Sequence, residues 1–115
     1  MVENTEMQQP PMKYGLKSET LSKINRVFAH YPNIDKVLLY GSRAKGNYRP
    51  GSDIDLALVG PRLTLKQLNR VGLELDDLLL PYQFDLALYH HIKTPALLDH
   101  INRVKQVFYC RITQA

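Results

Sequence analysis

The strongest structural signal in the chain comes from two neighbouring segments, Leu39-Tyr40-Gly41-Ser42-Arg43-Ala44-Lys45-Gly46 and Gly51-Ser52-Asp53-Ile54-Asp55-Leu56. The first begins inside a short apolar run that is typical of a buried strand and that ends at Gly41. The second opens another strand, predicted over 53–59. Side chains alternate across a strand, so Asp53 and Asp55 are expected on one face and their apolar neighbours on the other. The segments therefore predict a strand, a loop and a second strand that carries two carboxylates on one face.

Helical and strand patterns extend outward from these segments over most of the chain. Apolar residues recur at helical spacing on both sides of them, and shorter apolar runs indicate further strands. The predicted elements are a helix over 18–30 with Ser18 as N-cap, strands over 36–40, 53–59 and 84–89, a helical turn over 42–45, a helix over 64–78, a short helix opening at Thr94-Pro95, and an edge strand over 107–112. The main order, α-β-α-β-α-β-α, predicts an α/β domain in which a small mixed sheet packs against helices.

The length and composition predict one domain. A chain of 115 residues has room for one compact core. Residues 1–13 begin with a polar stretch that lacks periodicity, so we expect a disordered lead-in followed by a single domain over 14–115. Hydrophobic residues make up 44% of the chain and charged residues 23%, which is typical of a globular protein.

Charge and cysteine content argue against several classes of protein. Lys and Arg number 15 against 11 Asp and Glu, and the formal charge of +4 is too small and too dispersed to indicate direct nucleic-acid binding. No apolar run approaches the roughly 20 residues of a membrane span. The single cysteine rules out an intramolecular disulfide, and together with the lack of a secretory signal pattern this predicts a cytoplasmic protein.

The carboxylates indicate a site for hard cations. Asp53 and Asp55 are expected about 6–7 Å apart along one face of a strand, a spacing that lets both converge on Mg²⁺. Asp85 opens a third strand with the same Asp-Leu-Ala-Leu pattern that starts at Asp55. If the two strands pair side by side, Asp85 joins the other two, and three carboxylates so close would repel one another unless cations are bound. The alternative is that these acids are polar strand-entry residues on a solvated face.

The loop after the first strand has the composition of a phosphate site. Gly41 lets the backbone approach a ligand because it has no Cβ, and Ser42 offers a hydroxyl and N–H groups at the start of a helical turn. Arg43 and Lys45 add positive charge, and residues 43–52 contain no acid. The loop would suit a triphosphate with Mg²⁺, whereas taken alone it is also compatible with an ordinary turn capped by serine.

The combination of these features resembles the signature of the DNA polymerase beta nucleotidyltransferase superfamily. Gly41-Ser42 is followed after ten residues by Asp53-x-Asp55 and later by Asp85 at a strand start. The two opening segments look like those of the minimal nucleotidyltransferases within that superfamily. The resemblance extends from about Tyr14 to Tyr109 and implies the nucleotidyltransferase fold.

The resemblance also implies a role for each residue of the signature. Three acids would hold two Mg²⁺ ions, the last of them also serving as base for the acceptor hydroxyl: Asp53, Asp55 and Asp85. Four residues would contact the triphosphate, the first two at the β- and γ-phosphates and the others as secondary contacts: Gly41, Ser42, Arg43 and Lys45. The implied reaction is transfer of a nucleoside monophosphate to a hydroxyl, chiefly through positioning and charge neutralisation.

The acceptor is expected on a second chain, because the predicted catalytic fold uses most of this one. The resemblance points to the antitoxin half of a HEPN/minimal-nucleotidyltransferase pair, in which the enzyme transfers AMP from ATP to a tyrosine of the helical HEPN toxin. Two alternatives stay open. One is an antitoxin that neutralises its partner by binding alone. The other is a homo-oligomer, in which two subunits form a small-molecule adenylyltransferase with the acceptor site between them.

Histidines and tyrosines near the motifs carry weaker signals. The histidines lack the spacing of metal ligands, so we expect surface or capping roles for His30, His90, His91 and His100. Tyr48 and Tyr82 flank the motif elements and are expected to pack, although either could line the nucleotide base.

Overall fold

The computed structural model describes residues 12–111, so most of the predicted lead-in, over 1–11, lies outside the described residues. The elements follow in the order β1 (Met12–Lys13), β2 (Leu16–Lys17), α1 (Ser18–Ala29), β3 (Lys36–Tyr40), α2 (Gly41–Lys45), β4 (Ile54–Val59), α3 (Leu65–Asp76), β5 (Phe84–Leu88), a 3₁₀ turn (Tyr89–His91), α4 (Pro95–Val104) and β6 (Gln106–Cys110). In this part of the chain, each helix is too short or too polar to cross a membrane.

Strands β3 to β6 form one mixed sheet with the order β5-β4-β3-β6. β3 lies antiparallel to both of its neighbours, whereas β4 and β5 are parallel. The predicted small mixed sheet is therefore confirmed, including its edge strand near the end of the chain. The register pairs Asp55 with Tyr40 on one side and with Asp85 on the other, so β4 lies between the two strands that complete the site.

Helices cover both faces of this sheet. One face packs on α1 and α3 through the larger core, to which Leu39 and Leu56 contribute. The other face carries Tyr40 and Ala57, which pack with Ile101 of α4. Because neighbouring residues along a strand point to opposite faces, this alternation of apolar contacts builds three layers with the sheet in the middle.

The helices begin with different capping chemistry. At α3 the Thr64 hydroxyl accepts a hydrogen bond from Gln67 N, and the Gln67 side chain accepts one from Thr64 N, each at 3.2 Å. At α4 the predicted Thr94-Pro95 start is confirmed. The prediction of Ser18 as an N-cap is wrong. Ser18 is already the first residue of α1, because β2 runs directly into the helix and Lys17 takes the N-cap position without a side-chain hydrogen bond.

A short hairpin, β1–β2, precedes α1 and takes the place of the end of the predicted lead-in. Residues 12–13 pair with 16–17 in antiparallel register. The two turn residues, Tyr14 and Gly15, have φ of 58° and 77°, the combination that a type I′ turn requires. Leu16 is fully buried in the larger core, and its burial holds the hairpin against the domain. Regular structure therefore starts before the boundary predicted at residue 14.

Candidate active site

The predicted acids lie together at one end of the sheet. Asp55 and Asp85 are direct register partners on the parallel strands β4 and β5, which confirms that these strands pair side by side. The residues that flank both acids pack under α1 and α3, so the acids themselves project from the opposite face, the one that carries α4. Asp53 stands one residue before β4. Asp53 and Asp85 are exposed, whereas Asp55 is half-buried.

The clustering of like charges changes the ionisation of the site. Burial, followed by repulsion from Asp85 and Asp53, raises the pKa of Asp55 from 3.8 to about 6. Burial, together with the Asp85 and Asp55 carboxylates, raises the pKa of Tyr40 to about 12. The charge of Asp55 at neutral pH therefore costs free energy, and a bound cation would offset that cost.

Gly41 lies directly against the Asp55 carboxylate. Its φ is +74°, a left-handed backbone angle that favours glycine, and a Cβ at this position would collide with Asp55 Oδ2. Gly41 is also the first residue of α2. The absence of a side chain at Gly41 therefore brings the candidate phosphate loop into contact with the central acid of the candidate metal site.

Two further residues of the loop were predicted to contact the triphosphate. Ser42 follows Gly41 and is half-buried, and its carbonyl accepts a hydrogen bond from Gly46 N at 2.9 Å. Lys45 is exposed at the end of α2. Gly46 takes φ +90° and ends the helix after little more than one turn. The structure thus keeps Ser42 and Lys45 on the same short helix as Gly41, and their nucleotide roles stay predictions.

Arg43 does not have the surroundings of a triphosphate contact. The residue is only 2% exposed. Its guanidinium donates four hydrogen bonds, at 2.8 to 3.1 Å, to the backbone carbonyls of Tyr14, Pro50 and Ser52. These carbonyls take up four of the donors that a phosphate would need, and the side chain is almost fully buried, so the contacts of Arg43 give no support to its predicted role at the triphosphate.

Two tyrosines pack on the Arg43 guanidinium. The ring centroids of Tyr48 and Tyr82 lie 5.2 and 5.0 Å from its central carbon, within the range of cation–π attraction. The expected packing role is therefore confirmed for both tyrosines, and these contacts give no support to the alternative that they line the nucleotide base.

His100 lies at the same site, although no pattern in the sequence indicates it. Its Nε2 accepts a hydrogen bond from Gly41 N–H at 3.3 Å, and its ring packs edge-on against Tyr40 with centroids 6.2 Å apart. His100 thus satisfies an amide at the start of α2, and only the packing of α4 on the sheet brings the two residues together. The remaining histidines are exposed, in agreement with a surface role: His30, His90 and His91.

The donor set at the acids fits Mg²⁺ in its chemistry. The three side chains offer only carboxylate oxygens, and their mutual repulsion, visible in the raised pKa of Asp55, is the situation that a divalent cation relieves. Within residues 12–111, no group of three or more His, Cys, Asp or Glu side chains is already arranged to hold a metal ion. The fit therefore rests on donor type and charge, and ion binding requires the carboxylates to turn toward one another.

Comparison with known proteins supports the assignment of the fold and the family independently of the site geometry. The family model "Polymerase beta, Nucleotidyltransferase" matches residues 22–114. Among curated proteins, none matches the sequence. A solved structure with a similar fold is a chain of a toxin–antitoxin complex with AMP-PNP, which is 20% identical, with 79% of this chain and 73% of that chain covered and a TM-score of 0.65.

Two other solved structures extend the comparison. A chain from the complex of the tri-AMPylated Shewanella oneidensis HEPN toxin with its MNT antitoxin is 17% identical, with 81% of this chain and 71% of that chain covered and a TM-score of 0.59. A protein classed as a minimal nucleotidyltransferase is 26% identical, with 83% of this chain and 95% of that chain covered and a TM-score of 0.61. The family match spans every residue of the candidate site, from Gly41 to His100. The chain therefore belongs to the polymerase beta nucleotidyltransferase family.

Proposed function

We propose that this chain transfers AMP from ATP to a hydroxyl group of a partner protein, with Mg²⁺ bound at the three acids. One observation carries the proposal: Gly41 touches Asp55, and Asp55 pairs in register with Asp85. A loop of the phosphate-binding type thereby adjoins a cluster of carboxylates at one end of a rigid sheet. Such an arrangement suits transfer from a polyphosphate, because the reaction depends on positioning and on charge neutralisation.

The proposed reaction breaks the phosphoanhydride bond between the α- and β-phosphates and forms a phosphoester bond to the acceptor. The acceptor oxygen forms a bond to the α-phosphorus, and the bond from that phosphorus to the oxygen of the β-phosphate breaks. Pyrophosphate leaves, and the proton of the acceptor hydroxyl passes to the Asp85 carboxylate. Bound Mg²⁺ would neutralise phosphate charge and lower the pKa of the acceptor hydroxyl.

The other residues of the site would hold the nucleotide and the ions. Gly41 offers close backbone approach, and Ser42 offers a hydroxyl one residue further on. Lys45 is exposed at the end of the same helix, where its ammonium group can attract the terminal phosphate. Asp53 is exposed beside the half-buried Asp55, so a rotation of its side chain toward a shared ion meets little resistance.

A tyrosine of a HEPN-type toxin is the acceptor that we propose. Two of the structural neighbours come from toxin–antitoxin complexes, one with AMP-PNP and one with an AMPylated HEPN toxin. β5 is an edge strand of the sheet and Asp85 is exposed on it, so an acceptor can reach this acid from outside. A tyrosine hydroxyl has a pKa near 10, and both a base and a cation would therefore be needed to make it a nucleophile at neutral pH.

The direct test follows a radioactive label from ATP to the acceptor. The purified chain is incubated with Mg²⁺ and a helical HEPN-type protein as candidate partner, and the ATP carries the label on either the α- or the γ-phosphorus. We expect the partner to retain the α-label and not the γ-label. Retention of the γ-label would indicate phosphoryl transfer and would overturn the proposal.

The same experiment separates the alternatives. A partner that is inactivated without any label would support neutralisation by binding alone. Label on a small hydroxyl compound, in the absence of a protein acceptor, would support the homodimeric small-molecule adenylyltransferase. Asp55→Asn is the control for contaminating activity, because it removes the acid that contacts the phosphate loop and should leave no label on any acceptor.

A further inference from the structure

Arg43 joins its own helix, α2, to two other segments: the β1–β2 hairpin, 29 residues away, and the nearby loop that leads into Asp53. Its Nη1 donates to the carbonyl of Tyr14, in the turn of the β1–β2 hairpin, at 2.8 Å. Its Nη2 donates to Pro50 O at 3.0 Å, and both Nε and Nη2 donate to Ser52 O, at 3.1 and 3.0 Å. Ser52 is the residue directly before Asp53. One buried side chain therefore fixes both the hairpin and the peptide that leads into the first acid of the site.

The loop that carries Asp53 is a closed turn attached to Arg43. Ser52 N donates to Arg49 O at 2.9 Å, and Arg49 N donates to the Ser52 hydroxyl, also at 2.9 Å. Asp53 itself is exposed, so its own surroundings do little to fix its position. The two hydrogen bonds from Arg43 to the Ser52 carbonyl restrain the peptide before this acid, and on its other side Ile54 is fully buried and donates from N to Gln83 O at 2.9 Å.

The hairpin turn is shaped to meet Arg43. Tyr14 has φ 58°, an unfavourable angle for a bulky side chain. Stacking of its ring on Phe108, with centroids 5.9 Å apart, helps to hold this conformation, in which the Tyr14 carbonyl points at the guanidinium.

Gly15, the second turn residue, leaves no space between the hairpin and this cluster. A Cβ on Gly15 would lie 2.5 Å from Tyr48 Cε1 and 2.8 Å from Arg43 Nη1. A side chain at Gly15 must therefore displace the Tyr48 ring and the Arg43 guanidinium or push the hairpin away from them.

We propose that Arg43 is a positioning residue for Asp53, and that the hairpin over 12–17 helps to position Asp53 by holding the Arg43 side chain in place. The family model matches residues 22–114, so the hairpin lies outside the matched part of the chain. Its contact with Arg43 therefore supports the Asp53 loop from a segment that the family match does not include. The proposal rests on the proposed function only where it concerns catalysis. The mechanical coupling between the hairpin and the Asp53 loop can be measured without nucleotide.

Amide hydrogen exchange, read by mass spectrometry on the metal-free protein, tests the coupling. Gly15→Ala should speed exchange at least tenfold both in 12–17 and in 47–53, although these segments are far apart in sequence. Gly46→Ala is the matched control: Gly46 also has a positive φ, of +90°, but no atom of residues 12–111 outside its own chain neighbours lies within 4 Å of the position of its Cβ. It should leave exchange in 12–17 at the wild-type rate. Faster exchange in the hairpin alone in Gly15→Ala would overturn the coupling.

Arg43→Lys provides a second variant. Lysine keeps the charge but loses the planar fork that reaches three carbonyls, so both segments should exchange faster. Wild-type exchange in both segments would contradict the role of Arg43. If Arg43→Lys does not fold, as judged by a missing melting transition, the Gly15→Ala result decides alone.

Steady-state kinetics of Gly15→Ala test whether the hairpin affects catalysis. In Gly15→Ala, kcat for transfer should fall roughly 10- to 100-fold, the usual effect of losing a residue that orients a metal-binding group, whereas KM for ATP should change by no more than a few-fold. Loosened exchange with unchanged kcat would overturn positioning of Asp53. A wild-type protein that shows coupled exchange but no transfer with any acceptor would overturn the proposed function and leave the coupling intact.

Discussion

The Asp55 carboxylate occupies the space that a Cβ on Gly41 would need. Backbone angle and packing each disfavour a side chain at Gly41, since φ there is +74° and a Cβ would collide with Asp55 Oδ2. The contact ties the loop that we assign to the triphosphate to the acid that we assign to the metal ions. A side chain at Gly41 would therefore displace the Asp55 carboxylate.

Gly41→Ala is therefore expected to reduce transfer roughly 100-fold or more, because small misplacements of reacting groups have effects of that size. Its cost in stability should be modest, on the order of 1 kcal/mol from the unfavourable backbone angle, plus strain at Asp55. Initial rates of AMP transfer and a thermal melt measure the two effects separately.

Gly46→Ala is the control for Gly41→Ala. It carries the same type of backbone penalty at the other end of α2, but its added methyl group would contact none of the residues that the structure describes. We expect a comparable drop in melting temperature and a transfer rate within a few-fold of wild type. Equal loss of activity in both variants would show that helix strain, rather than the contact with Asp55, explains the effect.

Asp55→Asn should abolish transfer and yet stabilise the metal-free protein at neutral pH. Because the folded-state pKa of Asp55, about 6, lies above its ordinary value of 3.8, the wild-type protein loses stability as the pH rises from about 4 to above 6. The amide removes that loss, worth on the order of 1 kcal/mol once screening by solvent is allowed for, or a few degrees in melting temperature.

Melting curves in EDTA at pH 4 and pH 7.5 check the sign of this effect. The gain from Asp55→Asn should be present at pH 7.5 and vanish near pH 4. Asp35→Asn, at an exposed acid outside the cluster, should show no comparable gain. If Asp55→Asn instead melts several degrees lower than wild type at pH 7.5, Asp55 has a structural role and the electrostatic account of the site is wrong.

Mg²⁺ and ATP together should raise the melting temperature more than the sum of their separate effects, because each completes the surroundings of the other. Ser42→Ala should weaken ATP binding in the presence of Mg²⁺ by about tenfold, the loss of one hydrogen bond to a charged group, and should leave Mg²⁺ binding unchanged. Titration calorimetry measures both. An unchanged ATP affinity in Ser42→Ala would remove the hydroxyl from the phosphate site.

The sheet and the acids were predictable because their signals are local. Strands β3, β4 and β5 are short apolar runs, and the shared Asp-Leu-Ala-Leu pattern of β4 and β5 anticipates the register that pairs Asp55 with Asp85. The hairpin was not predictable in the same way, because type I′ turns usually carry Asn or Asp at the position that Tyr14 occupies here.

The surroundings of Arg43 and His100 could not be predicted from local sequence patterns. Arg43 has the sequence surroundings of a phosphate ligand, but Tyr14 and Tyr82, from distant segments, enclose it in the folded chain. His100 reaches Gly41 only because α4 packs on that face of the sheet. Burial and long-range contacts decide both roles, and neither property follows from spacing along the chain.

Intact-mass measurement of the partner protein tests the central claim most directly. The helical partner is incubated with Mg²⁺, ATP and either the wild-type chain or Asp85→Asn, and complex formation is checked separately for each. With the wild type, the partner should gain the mass of one or more AMP groups. With Asp85→Asn it should still bind but stay unmodified, because the proposed base has been removed. A partner that both versions neutralise equally, with no added mass, would contradict the account and would indicate neutralisation by binding alone.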